Sequence, residues 1–194
     1  TKGPKPVLPN NLRKRIVIPI EFFDLFINKE MIQLMTDNTN KYASEKNAGA
    51  LGRKWKPASI SELYAFIAVI VYSGIVRIQN SKKYWSTDSE WPTHPPSKYI
   101  SRTRFEQLKR YFKISNTEDE RKKFESSKNG IDEKWYAKIE PLFSSIMNTS
   151  QKLYNSGSNL AVDEVMVRFT GRSQDTYRIH NKPIPKGFKI IAIC

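Results

Sequence analysis

A chain of 194 residues has room for one domain with a full core, or for one domain and part of another. Its 39% hydrophobic and 12% aromatic content excludes a disordered polymer. With 33 Lys and Arg against 19 Asp and Glu, the net charge of +14 draws it toward polyanions, and nucleic acid is the first partner expected.

Along the chain, residues 1–9, with three prolines and two lysines, predict the start of an extended basic arm, which we bound at 1–18. Phe22, Phe23, Phe26 and Ile27 recur at helical spacing, and a second set follows Asn28 at Met31, Leu34, Met35 and Tyr42. Gly, Asn and Pro make 43–57 a loop. Ser59 and Glu62 stand in the S-x-x-E relation of a capping box before Leu63, Phe66, Ile67, Ile70 and Val71, and Gly74 is placed to end that helix. Pro92, Pro95 and Pro96 forbid regular helix through "NSKKYWSTDSEWPTHPPSKY". Ser101 caps a helix that turns Phe105, Leu108 and Phe112 inward. Residues 116–130 read as a charged loop, and Asp132 opens a helical pattern through Trp135, Ile139, Leu142 and Ile146, kinked at Pro141. Beyond "NSGSN" the texture becomes β: a strand over 160–169, a turn at "GRSQD", an extended "TYRI", and a second strand over 187–194. The domain reading is therefore an arm at 1–18, a helical region at 19–158, and the start of a sheet at 159–194.

No run reaches the ~20 apolar residues of a membrane-spanning helix, and the basic residues do not line one amphipathic helix. Cys194 alone closes no internal disulfide or zinc site, which fits a reducing compartment. "TKGPKPVLPN" has no apolar core of a secretory signal, leaving nucleus or cytoplasm. Starting without Met and stopping inside "FKIIAIC", the chain is expected to be a fragment of a longer protein.

Within "AVDEVMVRFTGR" two acids interrupt an apolar strand. Ala161, Asp163, Val165 and Val167 share one face; Val162, Glu164, Met166 and Arg168 share the other. Apolar groups on both faces predict an interior strand covered on both sides. Glu164 has Arg168 on its own face as a pairing partner, which leaves Asp163 the odd one. Two readings stand: Asp163 accepts a backbone hydrogen bond at a strand end, or it is one oxygen ligand of a hard-cation site that needs further carboxylates from other elements.

"VDEVMVRFTGR" followed by "YRIHNKPIPKGFK" resembles the piggyBac transposase family, in which an acid-bearing strand leads into a basic F-x-G-R turn and an N-K-P-x-x-x-G-x-K run. "TDNTNKYA", "ELYAFIAVIVYSGIVR", "KKYWS" and "SRTRFEQLKRYFKIS" stand in the family's order and spacing, so the resemblance covers nearly the whole chain after the arm. It implies a mostly α fold with a short C-terminal β segment: a helical dimerisation and DNA-binding region leading into the first strands of a truncated RNase H-like α/β domain. It further implies an Asp triad that binds Mg²⁺, with Asp163 matching the first Asp as catalytic and metal residue. Glu164 and Asp175 match neither of the other two, which lie downstream, and the family's cysteine-rich zinc domain is absent as well. This chain alone is therefore expected to be inactive. In a complete protein, the resemblance implies two Mg²⁺ held by three Asp, hydrolysis of one strand at the transposon end, hairpin formation by the freed 3′-hydroxyl, and integration at TTAA. A homodimer in the nucleus is the expected state.

Arg168, Arg172, Arg178, Lys182, Lys186 and Lys189 stand against Asp175 in the stretch after Val165. They read either as DNA phosphate contacts or as a guarded strand edge, with Arg172, Lys182 and Lys189 inside the resembling motif. Arg102, Arg104, Lys109 and Arg110 likewise read as DNA-tracking or as a solvated helix face. The basic 13–15 run is a weak nuclear-import signal. Trp55, Trp85, Trp91 and Trp135 read as packing anchors, with base-stacking platforms as the alternative, and His94 and His180 lack metal-ligand companions. Thr39 and Asn40 suggest a helix-end hydrogen bond without chemistry. Two alternatives remain: a domesticated or decayed DNA-binding descendant without chemistry, and a generic basic RNA-binding protein.

Overall fold

The computed structural model describes residues 7–13, 18–89, 92–119, 136–155, 157, 159–173 and 175–193. Expectations for residues 1–6, Lys14, Arg15, Trp91, Asp132, Trp135 and Cys194 lie outside them. The architecture is mostly α with a short three-stranded antiparallel sheet at its C-terminal end, as expected. The chain divides into two compact units, Ile18–Ile146 on one side and Thr1–Val17 with Met147–Cys194 on the other.

The first unit is helical. Helix α2 (Pro19–Phe26) opens with the Ile18 N–H donating to Glu21 Oε2 at 3.0 Å, and α3 (Lys29–Glu45) opens with the Asn28 side chain accepting from the Met31 N–H at 2.9 Å. Helix α4 (Ile60–Ile75) carries the expected capping box: Ser59 Oγ accepts from the Glu62 N–H at 3.2 Å, and the Ser59 N–H donates to Glu62 Oε2 at 3.0 Å. Gly74 does not end this helix; it lies inside the last turn, and the chain leaves at Val76. The proline-rich stretch holds a 3₁₀ turn (Ser81–Trp85) and one helical turn, α5 (Pro96–Tyr99), before Ser101 caps α6 (Arg102–Tyr111). Residues 117–119 are helical where a loop was expected.

The core joins α3, α4 and α6 through Ile32, Met35, Leu63, Phe66, Val69 and Leu108. Phe66 packs its ring 5.3 Å from Phe105 and 5.2 Å from Phe112. On α3 the buried stripe is Ile32, Met35, Thr36, Thr39 and Ala43, while Leu34, expected inward, is 40% exposed. Two threonines displace it because their hydroxyls find partners: Thr36 donates to the Ile32 carbonyl at 2.7 Å, and Thr39 Oγ1 accepts from the Lys113 N–H at 3.1 Å. Beside them Asn38 donates to the Ile114 carbonyl at 2.7 Å, and Asn40 exchanges both its amide groups with the Ala58 backbone, at 3.0 and 2.6 Å. The polar "NTN" run thus clamps α3 to two connecting segments.

Arg104 is likewise structural. Its Nε and Nη2 grip Glu62 Oε1 and Oε2 at 2.8 and 2.9 Å, so the capping carboxylate of α4 is tied to α6. Trp55 and Trp85 pack as expected: Trp55 meets Tyr111 edge-on at 5.1 Å, and Trp85 Nε1 donates to the Ile100 carbonyl at 2.7 Å. His94 is buried with Nδ1 2.8 Å from the Tyr72 hydroxyl.

In the second unit, a helical turn α1 (Asn10–Arg13) stands within the segment expected to be an extended arm. The Val7 N–H donates to the Leu153 carbonyl at 2.7 Å, at the end of helix α7 (Glu140–Leu153). That helix starts at Glu140 with Pro141 in its first turn, where the missing N–H costs nothing, so the expected kink is absent. Strands β1 (Val162–Arg168), β2 (Tyr177–Arg178) and β3 (Lys186–Ile193) form a sheet of order β1-β3-β2, antiparallel throughout. Among the described residues, no helix is long and apolar enough to cross a membrane.

Two consequences are measurable. Arg104 is the largest cause holding the Glu62 carboxyl below its ordinary range, followed by desolvation acting the other way and then by the Ser59 backbone N–H. Folding therefore favours the ionised form; that stability is complete above the ordinary carboxylate pKa and is lost as pH falls through the depressed folded value. Glu62→Gln is expected to lower unfolding free energy by about 1 kcal/mol at pH 7, a modest figure because the pair is partly solvated, with the gap closing in acid in urea titrations. For the sheet, a Cβ on Gly187 would stand 2.0 Å from the Val167 carbonyl oxygen, whereas one on Gly74 meets nothing within 4 Å. Gly187→Ala is expected to cost about 1–3 kcal/mol and strip hydrogen-exchange protection from 162–168, while Gly74→Ala raises the melting temperature.

Candidate functional site

Antiparallel pairing sets Asp163 opposite Ala192, with Val165 and Val167 on its face and Ile190 and Phe188 across from them. The acid thus keeps the apolar company expected from the sequence, but not the burial. β1 lies at an edge of the three-stranded sheet, only Met166 on it is buried, and the Asp163 side chain is 73% exposed. The expectation of an interior strand covered on both faces is corrected accordingly. A run of apolar residues reports two-sided burial only when both faces find a layer, and here Val165 and Val167 are 47% and 44% exposed.

Two donors meet the carboxylate on one oxygen. Asp163 Oδ1 accepts from the Glu164 N–H at 2.7 Å and from Lys182 Nζ at 3.3 Å. The backbone donor is the larger cause of a lowered Asp163 pKa, with the Lys182 hydrogen bond and charge next, so the group is ionised at neutral pH. Lys182 also donates to the Glu164 carbonyl at 3.3 Å. It sits in the β2–β3 connection, which the Ile179 N–H closes by donating to the Pro185 carbonyl at 2.8 Å.

Glu164 pairs with Lys189 at 2.5 Å and not with Arg168. Four residues along a strand are about 13 Å apart, too far for one side chain to reach the other. Lys189, opposite Met166 on β3, is instead the diagonal cross-strand neighbour of Glu164. The "NKPIPKGFK" run therefore has a physical reading that spacing alone did not reveal. Its first lysine holds Asp163, its last holds Glu164, and Gly187 between them lets β3 approach the β1 backbone.

Of the six basic residues expected at phosphate, Lys182 and Lys189 are thus engaged by acids, while Arg168, Arg172, Arg178 and Lys186 are exposed. Arg178 lies opposite Lys186 across the β2–β3 pair, and Arg168 lies opposite Gly187 across β1–β3, which brings these three to one end of the sheet. Arg172 follows in the turn where Gly171 packs under the Phe169 ring, itself 4.9 Å from Phe188. On α6, Arg102 pairs with Glu106 at 3.4 Å and Arg104 with Glu62, while Lys109 and Arg110 are exposed.

An exposed, ionised carboxylate suits a hard divalent cation as a single oxygen ligand. Among the described residues, no group of three His, Cys, Asp or Glu side chains is arranged to hold a metal ion. Asp175 is occupied in a local turn, where Ser173 Oγ donates to its Oδ2 at 3.1 Å.

The family model described as Transposase IS4 matches residues 18–194. Two human relatives are the PiggyBac transposable element-derived protein 3, 25% identical over 181 residues, and the PiggyBac transposable element-derived protein 2, 24% identical over 180 residues. Each match covers 93% of this chain and 28% of the relative, so the chain spans little more than a quarter of their length. Among solved structures, a piggyBac transposase in a synaptic complex with hairpin DNA shares the fold at a TM-score of 0.71 and 23% identity, over 100% of this chain and 38% of that one. The chain belongs to the Transposase IS4 family, and the relatives to which it is similar are of the piggyBac type.

Proposed function

We propose that this chain is the N-terminal part of a cut-and-paste DNA transposase, binding duplex DNA and contributing Asp163 as the first carboxylate of a three-Asp site. The observation that carries the reading is Asp163 itself, ionised and solvent-open at the position that matches the first Asp of the family, close along the chain to exposed arginines. The solved relative in complex with hairpin DNA supports DNA as the partner. In the domain reading, residues 1–18 are an arm, 19–158 a dimerisation and DNA-binding region, and 159–194 the first strands of an RNase H-like domain. A homodimer, TTAA targets and a nuclear location belong to the same proposal.

When bound, a divalent cation such as Mg²⁺ polarises water and phosphate oxygens at such a site. Asp163 would hold it through a carboxylate oxygen, and Lys182 keeps that carboxylate oriented and its charge balanced on the other side. Arg168, Arg172 and Arg178 neutralise phosphates of the strand that lies along the sheet end. Lys189 fixes Glu164 and so leaves Asp163 as the available acid of the pair.

A second reading, a DNA-binding descendant without chemistry, is favoured by the human relatives' names as element-derived proteins. Both readings predict salt-sensitive duplex binding. Fluorescence anisotropy with this chain is expected to show affinity falling log-linearly with salt, and Arg168→Ala/Arg172→Ala/Arg178→Ala to flatten that slope by about 2–3 units. Binding that ignores salt, or that prefers RNA over duplex DNA, would count against both.

A further inference from the structure

Lys182 reaches Asp163 by a detour. The β2–β3 connection rejoins the sheet at Lys186, at the end of β3 where Gly187 lies opposite Arg168, whereas Asp163 lies opposite Ala192 at the other end. Five residues of strand, from Asp163 to Arg168, separate those two levels, about 17 Å. The connection therefore folds back along the sheet, and it is braced on that path. The Lys182 N–H donates to the Ile179 carbonyl at 3.4 Å, the Ile179 N–H donates to the Pro185 carbonyl at 2.8 Å, and Pro183 and Pro185 fix their own φ. A two-residue turn suffices to join neighbouring antiparallel strands, so the longer reach of 179–185 serves something besides connection.

What it delivers is an ammonium. Lys182 Nζ donates to Asp163 Oδ1 and to the Glu164 carbonyl, each at 3.3 Å. The Glu164 N–H shares Oδ1 at 2.7 Å, while Oδ2 has no hydrogen bond among the described residues. Glu164, the other acid within reach of this edge, is held by Lys189 at 2.5 Å. A positive charge therefore stands on the one carboxylate that is read as a metal ligand, and a second cation arriving at Oδ2 meets its repulsion. The two long bonds that keep the ammonium there are ones a phosphate oxygen can replace, because a lysine head is a point charge without a fixed fork.

We infer that Lys182 is a resident counter-cation of Asp163 that makes divalent-cation loading depend on the presence of a DNA strand. Without a strand, its ammonium neutralises Asp163 and opposes a second cation there. A phosphodiester lying along the sheet offers the ammonium a competing acceptor, the repulsion at Oδ2 falls, and cation and strand then favour each other by the same factor. The inference rests on the reading of Asp163 as a metal ligand and adds an order to its loading.

Electron paramagnetic resonance of free Mn²⁺, titrated into the full-length protein with and without a DNA duplex, tests it; the binding counted is that which Asp163→Asn removes. In wild type the duplex is expected to tighten this Mn²⁺ binding about 10-fold. Lys182→Met is expected to bind Mn²⁺ about 10-fold more tightly than wild type without DNA and to gain little from the duplex. Lys182→Gln, which keeps a hydrogen-bond donor and loses the charge, is expected to match Lys182→Met. If either variant binds Mn²⁺ no more tightly than wild type without DNA, or if the duplex tightens wild type and variants alike, Lys182 only orients the carboxylate and the inference fails, while Asp163-dependent binding keeps the metal-ligand reading standing. If Asp163→Asn leaves Mn²⁺ binding unchanged, that reading fails and the inference with it.

Discussion

A negative charge stands among apolar strand residues where water or donors meet it, and Asp163 has both: an open solvent face, its neighbour's backbone N–H and one lysine. Backbone and ammonium converge on Oδ1 and keep the carboxyl ionised, and exposure leaves it open to solvent. Had the side chain been locked to a guanidinium in a dry interior, its ligand chemistry would have been spent on stability. Lys182 is a weaker hold than that, a single point charge at 3.3 Å on a mobile stem. The adjacent acid is treated differently: Glu164 is tied to Lys189 at 2.5 Å, so the two acids that interrupt β1 have separate partners.

The helical unit solves another problem, that of holding irregular connectors against a helix without burying unsatisfied polar groups. It does so with side chains that amphipathic logic would place in solvent. Asn38, Thr39 and Asn40 make bonds to two backbone segments distant along the chain, and Arg104 joins the cap of α4 to α6 and the Trp55 loop. Such bonds cost more when broken than they contribute when made, because a buried donor left alone loses its water as well. This explains why a strongly basic chain spends one of its arginines inside the fold.

The sequence was most legible where one local rule decides. The Ser59–Glu62 capping box, the Ser101 cap and the antiparallel β ends at 162–168 and 186–193 lie close to where residue type placed them. It was least legible where partners come from far away. Nothing in the spacing of "TDNTN" indicates that Thr39 displaces Leu34 from the core, because that depends on the Lys113 backbone arriving there. Nor does strand periodicity reveal that Lys182 and Lys189 serve Asp163 and Glu164; the path of the β2–β3 connection decides the first and cross-strand register the second. Gly74 reads as a helix stop only if the chain turns there, and the helix simply continues one residue further. Asp163 was conspicuous from the sequence, but its exposure was not, since an apolar strand looks the same whether or not a layer covers it.

Cleavage assays on the full-length protein, comparing wild type with Asp163→Asn in the presence of Mg²⁺, address the role of this carboxylate most directly. The expected result is strand nicking at transposon ends by wild type and its loss, by orders of magnitude, in the variant, with duplex affinity unchanged. Equal nicking by both proteins would contradict the assignment of Asp163 as a metal ligand, and a wild type that binds but never nicks would leave only a DNA-binding descendant.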